Sequence, residues 1–298
     1  MGLFDLHMHS TISRDGSYTP EELIQIAKKQ GLKVVALSDH NDMKGIDRMI
    51  EAGKKENIQV IPAIEFDTLF EGLEVHLLGY NFDYNKPYYQ NLGEYTLNLI
   101  DSATVERVEL FKKNYGVELD AQAILKEANE KGENPYFITF DTMINDPRNK
   151  DIAIFKEYRP GGKRCSPDKV NFYWDNCSVG SPNYVEVKFP DFKETVARIH
   201  ADGGIAVLAH PFKNFYLKDE LLLKAIEAGV DGIEAYSNYH TPEMNAYYEA
   251  FCMKHNVMMT FGSDFHGALK PAIEMGEYGY TKGEEQKVLD IFLNALNK

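Results

Sequence analysis

Short apolar runs recur along the chain, and seven of them lead to or enclose a histidine or a carboxylate. Leu3-Phe4-Asp5-Leu6 runs into His7 and His9, Val34-Val35-Ala36-Leu37 into Asp39 and His40, and Val60-Ile61-Pro62-Ala63-Ile64 into Glu65. Ile205 to Ala209 leads to His210, Ile233 to Glu234, and Met258 to Phe261 leads on to Asp264 and His266. His76 lies inside Glu74-Val75-His76-Leu77-Leu78. Apolar runs of this length read as buried strands. Parallel strands of an α/β barrel bring their C-terminal ends around one mouth, where such enzymes build their sites. The pattern therefore predicts one convergent cluster of imidazoles and carboxylates, which is metal-binding chemistry.

From residue 3 to about 82 the order is strand, helix, strand, helix, strand, strand. Thr19 as N-cap, Pro20 at the first helical position and Glu21 and Glu22 in the first turn start the first helix, and Gly31 stops it. A second helix is expected over about 42–57. Residues 83–192 break the alternation, with two helical stretches (about 88–115 and 120–131) and then irregular sequence. After them come helix 192–202, a strand, helix 220–228, a strand, helix 242–255, a strand, a last strand over 276–281 and helix 284–296. The order predicts an α/β barrel formed by 1–82 and 193–298. Residues 83–192 are then an inserted, mainly helical subdomain expected to cap the mouth.

The 298 residues, 44% of them hydrophobic, suffice for such a barrel. A net charge of −14 argues against polymeric nucleic acid as the main partner, yet admits a small phosphorylated substrate whose charge bound metals offset. Cys165, Cys177 and Cys252 form no C-x-x-C pair, so neither a disulfide framework nor a thiolate zinc site is expected. The amino terminus reads as a strand without a leader, and no run reaches membrane-spanning length. A cytoplasmic protein without a membrane partner is expected. Oligomeric state is not legible.

His7-x-His9 places both imidazoles on one side of a strand. Six of the nine histidines (7, 9, 40, 76, 210 and 266) occupy strand-end or mid-strand positions, which unrelated structural histidines would not do together. Asp5-Leu6-His7-Met8-His9-Ser10, Ser38-Asp39-His40-Asn41, Ala63-Ile64-Glu65, Ala209-His210-Pro211 and Gly262-Ser263-Asp264-Phe265-His266 follow one another in a distinctive order. In these motifs the chain resembles the small metal-dependent phosphoesterases of the PHP (polymerase and histidinol phosphatase) family.

That resemblance implies a distorted (β/α)7 barrel with two or three divalent ions (Mn, Fe or Zn) at the strand ends. It implies that His7, His9, Glu65 and Asp264 hold one ion, that Glu65 bridges to a second held by His76 and His210, and that Asp15, His40 and His266 hold a third. Many relatives carry His where this chain has Asp15, and Ser13-Arg14-Asp15-Gly16 reads equally as a turn. The implied activity is hydrolysis of a small phosphorylated metabolite by metal-activated hydroxide. Candidate substrates are a nucleoside phosphate or bisphosphate, a sugar phosphate or a cyclic phosphate. His210 and His266 are candidate proton donors.

Lys213, just past His210-Pro211, sits where such relatives often carry a basic residue, and is a candidate phosphate contact. Glu234 and His240, at the end of a strand, are candidate substrate contacts, as are Arg159, Lys163 and Arg164 around two glycines. The aromatics of the insertion (Tyr136, Phe137, Phe140, Phe172, Tyr173, Trp174) read as its own small core. Nucleotide-hydrolysing relatives often have Gly-Arg-Pro-His where this chain has Glu133-Asn134-Pro135-Tyr136, so their substrate-reading residues do not carry over. Two alternatives stand beside the phosphoesterase: an amidohydrolase-like C–N hydrolase, and a non-catalytic, metal-stabilised binding module.

Overall fold

The computed structural model describes residues 2–297, apart from the side chain of Lys213. The elements run β1 (Phe4–Asp5), α1 (Pro20–Gln30), β2 (Val34–Leu37), α2 (Ile46–Glu56), β3 (Gln59–Phe70), β4 (Leu73–Tyr80), α3 (Pro87–Tyr115), α4 (Ala121–Lys131), α5 (Pro135–Asn145) and α6 (Asp168–Asn176). They continue with α7 (Phe192–Ala201), β5 (Ile205–Leu208), α8 (Phe212–Phe215), α9 (Asp219–Glu227), β6 (Gly232–Ser237), α10 (Pro242–His255), β7 (Met258–Gly262) and α11 (Glu285–Ala295). Two compact units result, one from residues 1–93 with 189–298 and one from residues 94–188.

In the first unit the strands pair in sequence order from β1 to β7. Parallel contacts between the β7 and β1 ends return the sheet on itself: Asp264 N donates to His7 O (2.9 Å), and His9 N to Phe265 O (3.0 Å). The product is a nearly closed seven-stranded α/β barrel. One strand breaks the parallel rule. β3 turns through Glu71-Gly72, both at positive φ, into β4, which runs antiparallel to β3 and to β5. Two residues with φ > 0 make the tight hairpin whose twist matches its strands. His76 therefore reaches the site from a strand running the opposite way to its neighbours.

Local signals account for the helices around the barrel. Thr19 and Glu22 form a reciprocal capping box at α1, and Gly31 ends it at φ 79°. Thr241 caps α10, with Pro242 at its first turn. The expected strand over 276–281 is a correction: no strand forms there, and Gly276 and Gly279 take positive φ. Gly276 N donates to Asp5 Oδ2 (2.8 Å), while Tyr278 packs on Phe4 and Phe261 and Tyr280 on Phe261. The alternating aromatics thus cover the barrel wall from a turn-rich segment.

The second unit has a core of its own, including Phe111, Phe140, Phe155, Phe172 and Cys177. Its stretch expected to be irregular holds two helices, α5 and α6. Asn134 caps α5, accepting from Tyr136 N at 2.9 Å, with Pro135 beside it at the first helical position. Trp174, expected in this core, is 39% exposed. No helix among the described residues is long and apolar enough to cross a membrane.

Candidate metal centre

The ends of β1, β2, β5 and β7 and the interiors of β3, β4 and β6 deliver their polar side chains to one region of the barrel. His7 and His9 alternate past β1 with their Nε2 atoms 3.2 Å apart. Glu65 Oε2 lies 3.1 Å from each of these nitrogens, and Asp264 Oδ1 lies 3.2 and 2.9 Å from them. On the far side of Glu65, Oε1 stands 2.9 Å from both His76 Nδ1 and His210 Nε2. A third group joins His9 to Asp15, His40 and His266, with Asp15 Oδ2 3.5 Å from His40 Nε2 and 3.3 Å from His266 Nε2. A fourth, which the sequence did not disclose, is His40, Asp67 and His76.

Surrounding residues orient these groups. Glu234 is completely buried; its Oε1 lies 3.0 Å from His7 Nδ1 and its Oε2 accepts from His210 N at 2.8 Å. With a proton on Nδ1 directed at Glu234, the Nε2 lone pair of a neutral His7 would be free for a metal ion beside Glu65 and Asp264. Gly262 permits this arrangement, since a Cβ there would collide with Glu234 Oε1 and His7 Cβ. Asp264 holds φ at 54°, a conformation that side chains other than glycine adopt at a cost. Its Oδ2 accepts from Tyr239 OH (2.5 Å) and Lys270 Nζ (2.8 Å), leaving Oδ1 for the centre. His266 Nδ1 sits 2.8 Å from the Asp264 carbonyl, which places the ring proton there and the Nε2 lone pair toward Asp15. Asp39 accepts from Ser10 N and Ser10 Oγ (both 2.7 Å), and Ser13 Oγ donates to Asp15 Oδ1 (2.6 Å).

The electrostatics call for positive charge. Burial works against a protonated His7, but Glu65, Glu234 and Asp264 outweigh it and hold its pKa well above the ordinary range. His40, facing Glu65, Asp67 and Asp15 despite its burial, is raised to about 10. Burial raises Glu65 and Asp264, yet the imidazoles around both, and Lys270 beside Asp264, bring them well below normal carboxylates. Glu65 Oε2 and Asp264 Oδ1 are buried with no hydrogen-bond donor, although ring nitrogens surround them at ion-pair distances. Buried oxygens in that state need a partner the side chains do not supply. Mixed imidazole and carboxylate donors suit a divalent transition metal, so the residues fit such a group.

Residues 5–150 match the family model described as PHP domain. The chain carries a PHP domain. It is 28% identical over 267 residues to a 5'-3' exoribonuclease of Haemophilus influenzae, covering 88% of this chain and 89% of that one. To a phosphoribosyl 1,2-cyclic phosphate 1,2-diphosphodiesterase of Eggerthella lenta it is 27% identical over 267 residues, covering 88% and 94%. A solved structure assigned as a metal-dependent phosphoesterase from Bifidobacterium adolescentis superposes with a TM-score of 0.73 at 24% identity, over 96% of this chain and 95% of that one, and shares the fold.

Other expected contacts of the PHP site lie as follows. His240 is buried, with Nδ1 3.1 Å from Ala235 O and its ring against Tyr248, and burial lowers its pKa to about 4. In the second unit Arg159 donates to the carbonyls of Ile144, Asn149 and Lys150, and Arg164 pairs with Asp175. Lys163 is exposed. The Lys213 contact lies outside the described residues. Sequence reasoning passed over Tyr239 and Lys270, which follow no spacing rule. It also passed over Asp67, although Glu65-Phe66-Asp67 has the same alternation as His7-Met8-His9.

Proposed function

We infer that this protein is a metal-dependent phosphoesterase that hydrolyses a small phosphorylated substrate with divalent ions held by the PHP centre. The observation that carries this is the convergence of His7 Nε2, His9 Nε2, Glu65 Oε2 and Asp264 Oδ1, in which both oxygens lack a donor. Two or three ions of Mn, Fe or Zn suit these donors. His7, His9, Glu65 and Asp264 would hold one, Glu65, His76 and His210 a second, and Asp15, His40 and His266 a third. Bound there, the ions supply Lewis acidity toward phosphoryl oxygens and lower the pKa of water. The chain's own groups fix the geometry: Glu234 keeps the His7 proton on Nδ1, the Asp264 carbonyl keeps that of His266 on Nδ1, and Tyr239 and Lys270 hold Asp264 Oδ2.

The names of the two relatives support phosphodiesters, either a cyclic sugar phosphate or the 5' end of an RNA strand, beside the nucleoside and sugar phosphates already expected. The charge of −14 favours a small molecule or a short strand over a long polyanion. The test is phosphate release by Mn-loaded protein, coupled to a monoesterase for diesters. The panel holds nucleoside 3',5'-bisphosphates, mononucleotides, sugar phosphates, cyclic sugar phosphates, histidinol phosphate and a short 5'-phosphorylated oligoribonucleotide. Turnover of one class is expected, reduced at least ~100-fold by His9→Asn. Metal-loaded protein inert toward every member, or equally active after His9→Asn, would sink this function.

A further inference from the structure

We propose that Asp67 fixes the tautomers of two metal-facing imidazoles at once and is a positioning residue of the centre; the proposal rests on the metal-dependent function above. Asp67 lies two residues beyond Glu65 on β3, so both side chains share one face of the strand. It stands in register with His76 on β4, while His40 bridges to Glu65 from the other side. Asp67 Oδ1 lies at ion-pair distance from both rings, 3.2 Å from His40 Nδ1, which has no other hydrogen-bond partner, and 3.2 Å from His76 Nε2.

The opposite nitrogens of the two rings face the ligand cluster. His40 Nε2 is 3.4 Å from Glu65 Oε2 and 3.5 Å from Asp15 Oδ2, and His76 Nδ1 is 2.9 Å from Glu65 Oε1 and 3.3 Å from His210 Nε2. A neutral imidazole that offers a lone pair on one nitrogen carries its proton on the other. The two rings therefore need opposite tautomers, Nδ1–H in His40 and Nε2–H in His76, and one carboxylate oxygen with two lone pairs faces both protons. Asn41 holds that carboxylate in place through its other oxygen and its backbone: Asn41 Nδ2 donates to Asp67 Oδ2 (2.7 Å) and Asn41 Oδ1 accepts from Asp67 N (3.2 Å). Asn41 adopts φ 53°, a left-handed conformation asparagine tolerates better than most residues. A single partly buried carboxylate thus links a ring of the Asp15 group to a ring of the Glu65–His210 group, and aligns both.

The test uses protein labelled with 15N in its histidine rings and loaded with Zn as a diamagnetic probe. In the native protein His40 is expected as the Nδ1–H tautomer and His76 as the Nε2–H tautomer, with both ring protons exchanging slowly with water. Asp67→Ser should release both protons to fast exchange and weaken Zn binding roughly 10–100-fold, with the number of ions at saturation unchanged. Asp67→Asn keeps an acceptor oxygen and should retain the tautomers with a smaller loss of affinity. It carries the test if the backbone amide spectrum shows that Asp67→Ser does not fold. One ion fewer in Asp67→Ser at saturating Zn would overturn the proposal by making Asp67 a ligand. Unchanged ring spectra and affinity in that variant would overturn it by making Asp67 a bystander. Native protein that binds no Zn would overturn the metal-centre function and this proposal with it, before any variant is compared.

Discussion

In the 94–188 unit, Asn176 Nδ2 donates to Tyr158 OH (2.9 Å), Asn183 Nδ2 donates to Tyr115 OH (2.7 Å), and Arg159 caps three backbone carbonyls. In the barrel, Glu65 Oε2 and Asp264 Oδ1 lie equally deep among ring nitrogens and receive no hydrogen bond. The first set of polar residues satisfies itself, and such closed networks stiffen a fold and select one packing. The second set is arranged around something that is not a side chain. Burial of a polar residue therefore does not mark a site; unpartnered carboxylate oxygens converging with imidazole nitrogens do.

The largest effect expected from breaking this contrast is in the insertion's core. Phe172 is fully buried among Phe111, Phe140, Phe155 and Tyr158, so Phe172→Ala should cost about 3–5 kcal/mol. Hydrogen exchange should quicken across 94–188 while the barrel binds the same number of Zn ions; lost metal binding would contradict a separate core.

Next comes a buried histidine that is no part of the metal cluster. The pKa of His240 falls from 6.5 to about 4 on folding, so the unfolded chain binds more protons between those values. Its contribution is complete above pH 6.5 and lost as pH falls toward 4, at most about 3 kcal/mol. Urea unfolding of the native protein and His240→Gln at pH 5 and 7.5 checks this. The native curve should lose more stability on acidification than the variant, and parallel losses would refute the assignment.

A smaller change sharpens the contrast at the centre. Glu234→Gln keeps the size of the side chain but removes the charge facing His7 Nδ1, and should weaken Zn binding about 10–100-fold. Calorimetric titration reads it, and undiminished affinity would deny Glu234 its orienting role. Smallest of all, Arg164→Ala removes a half-exposed pair with Asp175 and should alter stability by less than ~1 kcal/mol and metal affinity not at all.

Strand-end alternation, the helix caps at Thr19 and Thr241 and the order of the histidine motifs are local properties, and they were legible because each follows from spacing along one segment. His7-x-His9 states that two rings share a face whatever surrounds them. Spacing carries no information about direction or neighbours. The reversal of β4, which brings His76 opposite Asp67, depends on a two-residue hairpin. The burial of Glu234 beneath His7 depends on the closure of β6 and β7 against β1 and on the missing Cβ of Gly262. Tyr239 and Lys270 reach Asp264 Oδ2 from opposite sides of it in sequence, at separations no motif fixes. At 276–281 the alternation misled, because a row of aromatics covers a barrel wall from a turn as well as from a strand. The sequence by itself determined which residue types the barrel gathers, since period and capping are short-range. Only the tertiary structure decided which of them face one another, because a hydrogen bond or an ion pair depends on distance in space and not along the chain.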